Sequence, residues 1–335
     1  EFDMIETYAY ARAGLVGNPS DGYYGKTISV IVGNFRARVL CYPSANLEIK
    51  PSAIDTPVYR SLSALRECIN QNGYYGGVRL IMATIKRFAD YCDQEGIGLS
   101  DRNFTLEYES NIPARVGLAG SSAIITATIR ALREFFDVDI PRHLQPNLVL
   151  SAEVDELGIA AGLQDRVIQT YQGMVYMDFN RELMQEQGYG YYEELDHTKL
   201  PPLYVAYQAD LSEGSEIVHT NLRERFSRGD PDVVSAMKRF AGITVEAKQA
   251  LAEGDFKRLS ELMNENFDLR ASIVPLRQAD LRLVHTGRQV GASSKFAGSG
   301  GAVVGAYDGT PQMFRKLIAA YKEIGAEVVV PKVIK

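Results

Sequence analysis

Cysteine and histidine are scarce in this sequence of 335 residues. The three cysteines, Cys41, Cys68 and Cys92, form no CxxC pair, and the four histidines stand singly. Structural zinc sites need closely spaced Cys and His ligands, so the sequence argues against such a site. A small, odd number of cysteines suits a reducing compartment, which makes the cytoplasm the expected location.

Long apolar runs and an excess of positive charge are also missing. No apolar stretch reaches the roughly 18 residues that indicate a membrane helix. The first residues, Glu1-Phe-Asp-Met4, have neither the basic nor the apolar part of a signal peptide. The formal net charge is −6. Because nucleic acids and anionic membranes are bound through basic surface, neither is expected as the main partner.

Strand and helix patterns are mixed along the chain, which favours an α+β fold over a strictly alternating one. Strands are predicted over 27–32, 36–42, 104–108, 173–179, 203–208 and 326–333. Helices are predicted over 62–71, 78–95, 121–136, 147–157, 163–171, 216–226, 231–252, 255–269, 277–290 and 311–325. The segment 180–202, with its Gly-Tyr-Gly and Pro-Pro, is the expected linker, and the predicted domains are 1–185 and 186–335.

A glycine-rich segment, Pro113-Ala-Arg-Val-Gly-Leu-Ala-Gly-Ser-Ser-Ala123, joins a predicted strand to a predicted helix. Glycines let a backbone approach a phosphate closely, and a helix N-terminus offers free N–H groups and a positive dipole end. The segment therefore predicts an ATP phosphate site, although the lysine of the GxxxxGK[ST] loop is absent. A serine that only caps the helix is the structural alternative. The residues expected to contact ATP are Pro113, Gly117, Leu118, Ala119, Gly120, Ser121, Ser122 and Ala123.

Three segments, in this order along the chain, resemble the signature motifs of the GHMP kinases. They are Ala11-Arg-Ala-Gly-Leu-Val-Gly-Asn-Pro-Ser-Asp21, the 113–123 loop and Lys295-Phe-Ala-Gly-Ser-Gly-Gly-Ala302. Further segments, 73–79, 150–153 and 162–166, are similar to the plant-type glucuronokinases, and the likeness spans roughly residues 8 to 333.

The resemblance implies a fold and an activity. The expected fold is the GHMP kinase fold, with an N-terminal domain like ribosomal protein S5 domain 2 and a ferredoxin-like C-terminal domain. The implied activity is transfer of a phosphoryl group from ATP, with Mg²⁺, to the anomeric hydroxyl of D-glucuronic acid.

Roles for single residues follow from the same resemblance. Asp165 corresponds to the base that faces the attacking hydroxyl, and Arg12 to the motif arginine that pairs with it. Glu153 and Ser122 correspond to the Mg²⁺ ligands; Mg²⁺ needs few protein ligands because phosphate and water oxygens supply the rest. The structural alternatives are a helix-terminal carboxylate for Asp165 and a solvated surface residue for Arg12.

The first motif carries the expected sugar residues. Asp21 corresponds to the aspartate that binds ring hydroxyls in galactokinases, which have an acidic residue at the position of Asn18. The loss of that negative charge suits an anionic substrate, although Asn18 also fits a simple turn residue.

A uronate carboxylate requires a cation, for which Lys26, Arg79 and Arg166 are open candidates. The glycine loop of the third motif is expected to close on the substrate through Gly298, Ser299 and Gly300.

Two other functions stay open at this stage. The chain could be another GHMP sugar kinase of the galactokinase, arabinokinase or heptose kinase type. It could also be a sensor that binds nucleotide and sugar without turnover, because fold does not fix function.

Overall fold

The computed structural model describes residues 3–55, 58–72, 76–159, 161–208 and 220–335. The chain divides into two compact units. Unit 1 comprises Glu1–Ala11, Phe35–Ile112 and Ala119–Thr170, and unit 2 comprises Arg12–Asn34, Pro113–Leu118 and Tyr171–Lys335. The domain boundary predicted after residue 185 stays a prediction.

The described part of the chain up to Tyr171 alternates strands with helices in an irregular order. The elements are β1 (Ile5–Val16), β2 (Lys26–Pro43), β3 (Glu48–Lys50), α1 (Leu62–Asn72), α2 (Gly77–Gln94), β4 (Phe104–Ser110), α3 (Gly120–Phe136), α4 (Gln145–Ser151) and α5 (Leu163–Tyr171). The two strands predicted over 27–32 and 36–42 are thus one long strand, β2. The helix predicted over 147–157 is α4 followed by a π-helical turn, Ala152–Glu156.

The remaining described elements follow in chain order. They are β5 (Met174–Asp178), α6 (Arg181–Gln187), β6 (Tyr191–Leu195), β7 (Leu203–Gln208), α7 (Leu222–Ser227), α8 (Pro231–Glu253), α9 (Phe256–Ile273), α10 (Gln278–Val290), β8 (Lys295–Phe296), β9 (Ala302–Ala306), α11 (Pro311–Glu323) and β10 (Ala326–Val329). The start of the helix predicted over 216–226 and the first three residues of the 73–79 motif lie outside the described residues.

In unit 1, helices α2 and α3 pack on each other beside a small sheet. The later part of β2 pairs antiparallel with β4, and β3 pairs parallel with β4. The apolar stripe of α3 faces the core, with Ile125, Ile129 and Leu132 buried, so the predicted amphipathic helix is confirmed. The rings of Phe104 and Phe135 pack in this core with their centres 5.2 Å apart and their planes tilted by 59°.

Unit 2 contains an antiparallel sheet of four described strands in the order β10-β7-β9-β8. Numbered along the chain, this order is 4-1-3-2, the ferredoxin-like arrangement, so the fold expected for the C-terminal part is confirmed. Helices α9, α10 and α11 contribute to its core through Phe267, Leu283 and Leu317. The glycine-rich connection between β8 and β9 carries the third motif.

The linker predicted over 180–202 is wrong. Asn180 accepts hydrogen bonds from the backbone N–H groups of Glu182 and Leu183 and so caps α6. Strand β6 then pairs antiparallel with β5 from Tyr191 to Leu195. Glycine marks only the turns between these elements, since Gly188 ends α6 in the left-handed conformation.

No helix among the described residues is both long enough and apolar enough to cross a membrane.

Candidate active site

The phosphate loop predicted over 113–123 ends on the first turn of α3. Ala119, the residue before the helix, has φ +64°, a left-handed conformation that costs energy for a residue with a Cβ. Its carbonyl oxygen accepts hydrogen bonds from Gln169 Nε2 at 2.9 Å and from the backbone N–H of Ala123 at 3.3 Å. These bonds hold the turn that leaves the first N–H groups of α3 without intrahelical acceptors, as an anion site requires.

Gln169 is a residue that the sequence analysis missed. It is fully buried on α5, and its Oε1 accepts a hydrogen bond from Ser122 Oγ at 2.5 Å. Its Nε2 also donates to Tyr10 O at 2.9 Å. Gln169 therefore fixes the direction of the Ser122 hydroxyl, which keeps its lone pairs for another partner.

Unit 1 also holds the two predicted acidic residues. Glu153 lies in the π-helical turn, and both of its oxygens accept hydrogen bonds from Arg166 at 2.7 Å. Asp165, in the first turn of α5, accepts from Arg166 Nη1 at 3.2 Å. Burial raises the pKa of Glu153, while the charge and hydrogen bonds of Arg166 oppose that rise. One arginine thus holds both acidic residues, and it was itself a candidate for binding the uronate.

Arg12 belongs to unit 2, where it supports the first part of the phosphate loop. Its Nη1 donates to Gly117 O at 2.7 Å, and its backbone N–H donates to Leu118 O at 3.3 Å. Gly298 of the third motif lies close to the same two residues, Arg12 and Gly117. A Cβ at Gly298 would come within 2.5 Å of Arg12 Nη2 and 2.6 Å of Gly117 O. Within unit 2, Arg12 of the first motif, Gly117 of the second and Gly298 of the third are therefore neighbours.

The backbone of the glycine loop between β8 and β9 approaches Gly117 of the phosphate loop closely. Gly117 has φ +70°, and a Cβ there would lie 2.6 Å from Gly300 O. Gly301, with φ +83°, donates its N–H to the buried carboxylate of Asp280, which Arg277 also binds at 2.7 Å. Asp280 thus anchors the loop, a role that no sequence pattern indicates.

Asn18 is paired with a buried lysine. Lys295, only 1% exposed, donates to Asn18 Oδ1 at 2.8 Å and to the carbonyls of Gly14 and Phe296 at 2.7 and 2.6 Å. Burial lowers the pKa of Lys295 well below its usual value, with Arg270 and Arg12 adding to the effect. The departure from the acidic residue of galactokinases therefore removes the ion-pair partner that an aspartate or glutamate would give this lysine.

The other predicted sugar residues lie at the start of unit 2. Asp21 is partly buried in a 3-10 turn, Ser20–Tyr23. Lys26 forms an ion pair with Asp178 at 3.5 Å. Arg79, the remaining candidate for the uronate, is exposed on α2 in unit 1.

The donor set fits Mg²⁺ that arrives with ATP. Ser122 Oγ is a hard oxygen with a fixed orientation, and carboxylate oxygens have four lone-pair sites, of which Arg166 uses only some at Glu153. Among the described residues there is no group of three or more His, Cys, Asp or Glu side chains that could hold a metal ion.

Comparison with known proteins defines the family. Residues 79–173 match the family described as GHMP kinases N terminal domain. Glucuronokinase 1 of Arabidopsis thaliana is 46% identical over 309 residues, which cover 90% of this chain and 84% of that protein. The chain belongs to the glucuronokinase family of GHMP kinases. It is accordingly an ATP-dependent sugar kinase.

More distant relatives share the fold. A mevalonate kinase of Methanothermobacter thermautotrophicus is 32% identical over 199 residues, 58% of this chain and 61% of that protein. The crystal structure of Lactococcus lactis galactokinase complexed with galactose superposes with a TM-score of 0.76 at 16% identity, covering 99% of this chain and 94% of that one. The GHMP kinase fold expected from the motifs is confirmed.

Proposed function

We propose that this glucuronokinase family member transfers the γ-phosphoryl group of ATP to the anomeric hydroxyl of D-glucuronic acid, giving glucuronic acid 1-phosphate and ADP. The observation that supports D-glucuronic acid as the substrate is the 46% identity to Arabidopsis Glucuronokinase 1 over 90% of the chain. The pairing of Asn18 with Lys295 supports it, because no acidic side chain occupies the position that galactokinases use.

The proposed ATP site uses backbone more than side chains. The 113–123 loop offers the first N–H groups of α3, and the glycines of both loops let the backbone approach the phosphates. Arg12, hydrogen-bonded to Gly117, places a positive charge beside this loop to offset charge that develops on the phosphoryl group. Mg²⁺ enters as part of the MgATP substrate, with Ser122 and Glu153 as the proposed protein ligands.

Asp165 is the proposed base. It takes the proton of the anomeric hydroxyl as the new O–P bond forms and the bond from the γ-phosphorus to ADP breaks. Its hydrogen bond from Arg166 orients the carboxylate. Phosphoryl transfer depends mainly on positioning and charge stabilisation, so the base contributes only part of the rate.

Asp21 is proposed to accept hydrogen bonds from ring hydroxyls of the sugar. The glycine loop, Gly298-Ser-Gly300, supplies backbone groups on the same side of unit 2. A cytoplasmic location and an acidic surface that avoids nucleic acid and membrane remain predictions from the composition.

A coupled assay of ADP release across sugars tests the substrate. Glucuronate is expected to exceed glucose and galactose by roughly 10²-fold or more in kcat/KM, because a site built for a charged group rejects analogues that lack it. Galacturonate is the informative control, since it keeps the carboxylate and inverts only C4. If galactose, arabinose or a heptose phosphate is preferred, the uronate proposal is wrong. If nucleotide binds without ADP release for any sugar, the sensor alternative applies.

A further inference from the structure

Arg270, on α9, is an arginine without an acidic partner among the described residues. Its Nη1 donates to Gly298 O at 2.9 Å, and its guanidinium lies over the Phe296 ring at 5.0 Å from the ring centre. Among the described residues its Nε and Nη2 make no hydrogen bond, and no carboxylate lies within ion-pair distance. Two donors in the planar geometry that matches a carboxylate are therefore unused.

Two other arginines of unit 2 are already paired with carboxylates. Arg277 binds Asp280 at 2.7 Å, and Arg288 binds Asp268 at 2.7 Å. Burial lowers the pKa of Arg270 to about 10, so it keeps its charge at neutral pH although it is poorly hydrated. Arg270 is partly buried, and the carboxylates of Asp280 and Asp21 act on its charge without forming an ion pair with it. An anionic ligand in direct contact would therefore stabilise this charge.

The surroundings of Arg270 are the proposed sugar-binding region. Gly298, which holds its Nη1, lies against Arg12 and Gly117. Phe296, which supports the guanidinium, follows Lys295, the partner of Asn18. All of these residues belong to unit 2.

Asp21 is near enough to interact electrostatically with Arg270. A negative residue at this point disfavours a multiply charged phosphate more than a singly charged carboxylate. The location thus favours a sugar carboxylate over a phosphate of ATP as the anion.

We propose that Arg270 binds the C6 carboxylate of the uronic acid through Nε and Nη2. This inference rests on the proposed function and names the residue that determines its specificity. It replaces the three cations considered from the sequence. Lys26 pairs with Asp178, Arg166 holds Glu153 and Asp165, and Arg79 is exposed on a helix of unit 1.

The test compares glucuronate with glucuronamide, its neutral C6 amide, for the wild type and for Arg270→Gln. The wild type is expected to prefer glucuronate by roughly 10²-fold in kcat/KM, and the variant to lose most of that preference while its KM for ATP stays the same. Arg270→Lys keeps the charge without the paired donors and is expected to show an intermediate preference. The matched control is Arg258→Gln, which removes a surface arginine from the same helix and should keep the wild-type preference.

The outcomes separate this inference from the proposed function. A wild type that does not phosphorylate glucuronate refutes the proposed function. A wild type that prefers glucuronate while Arg270→Gln keeps the same preference refutes only the role of Arg270. If both variants lose kcat/KM equally on glucuronate and glucuronamide, Arg270 has a structural role only, and the inference is also overturned. If Arg270→Gln does not fold, the ratio of kcat/KM for glucuronate to that for glucuronamide in Arg270→Lys decides the question. Calorimetry gives an independent measure of glucuronate binding.

Discussion

Arg166 holds the carboxylate of Glu153 through three hydrogen bonds, from Nε to Oε1 at 2.9 Å and from Nη2 to each oxygen at 2.7 Å. Glu153 is 2% exposed and Arg166 6% exposed. Since both charges are desolvated, removal of Arg166 would leave the Glu153 carboxylate buried and unpaired. The Nη1 of the same arginine reaches Asp165. The proposed metal ligand and the proposed base are therefore linked through one guanidinium.

Glu153→Gln separates a metal role from a purely structural one. If Glu153 binds Mg²⁺, the Mg²⁺ midpoint at fixed ATP should rise in this variant and in Ser122→Ala, because each loses one of few protein ligands. The loss of the buried carboxylate should also lower the free energy of unfolding by about 1–3 kcal/mol. Magnesium titrations and urea unfolding measure the two effects.

The matched control for this experiment is Glu156→Gln. Glu156 belongs to the same π-helical turn but pairs with Lys86 at 2.6 Å and is 20% exposed. Its Mg²⁺ midpoint should equal that of the wild type. If the Mg²⁺ midpoint is unchanged in both Glu153→Gln and Ser122→Ala, other groups bind the metal.

Local sequence patterns predicted most of the helices and strands of this protein, whereas contacts between residues far apart in the sequence form the candidate site. The periodicity of α3 and the glycine loop before it were visible because both depend on neighbours along the chain. The pairing of Lys295 with Asn18 spans 277 residues, and no local rule predicts it. No local pattern predicts the role of Gln169 either, because Gln169 lies on α5 whereas the backbone group that it binds, Ala119 O, precedes α3. The 180–202 segment was misassigned because turn residues dominate its composition, although β6 finds its partner in β5.

Lys295 should make stability depend on pH. Its pKa in the folded protein lies well below the ordinary value of 10.5, so the unfolded chain binds this proton more tightly. The free energy of unfolding therefore gains a contribution that rises with pH from the folded pKa up to about 10.5. Urea unfolding of the wild type and of Lys295→Met at several pH values from neutral to about 9.5 should show a steeper rise for the wild type.

Asn18→Asp is the companion variant for this prediction. A carboxylate next to Lys295 raises the pKa of the lysine toward its unfolded value, so the pH-dependent contribution should shrink while the lysine stays in place. Equal pH slopes in the wild type, Lys295→Met and Asn18→Asp would contradict the prediction.

Gly298→Ala tests the contact between the glycine loop and the phosphate loop. The added Cβ would lie 2.5 Å from Arg12 Nη2 and 2.6 Å from Gly117 O, and the latter is backbone that cannot move without shifting the phosphate loop. A displacement of this kind should reduce kcat/KM by about 10²-fold. Gly98→Ala, where nothing lies within 4 Å of the new Cβ, should keep wild-type kinetics. Near wild-type activity of Gly298→Ala would show that the two loops can separate without loss of function.

Asp165→Asn tests the proposed base. The amide has nearly the same size but cannot take a proton, so kcat should fall by roughly 10²-fold or more. The KM for ATP should stay close to the wild-type value, because the proposed phosphate site lies on the 113–123 loop. Arg166 loses the weaker of its acidic partners and keeps Glu153, so thermal unfolding should change little. Single-turnover kinetics with glucuronate would show whether the loss falls on the chemical step. A mutant that turns over at close to the wild-type rate would leave Asp165 as a helix-terminal carboxylate and would assign catalysis to positioning and charge alone.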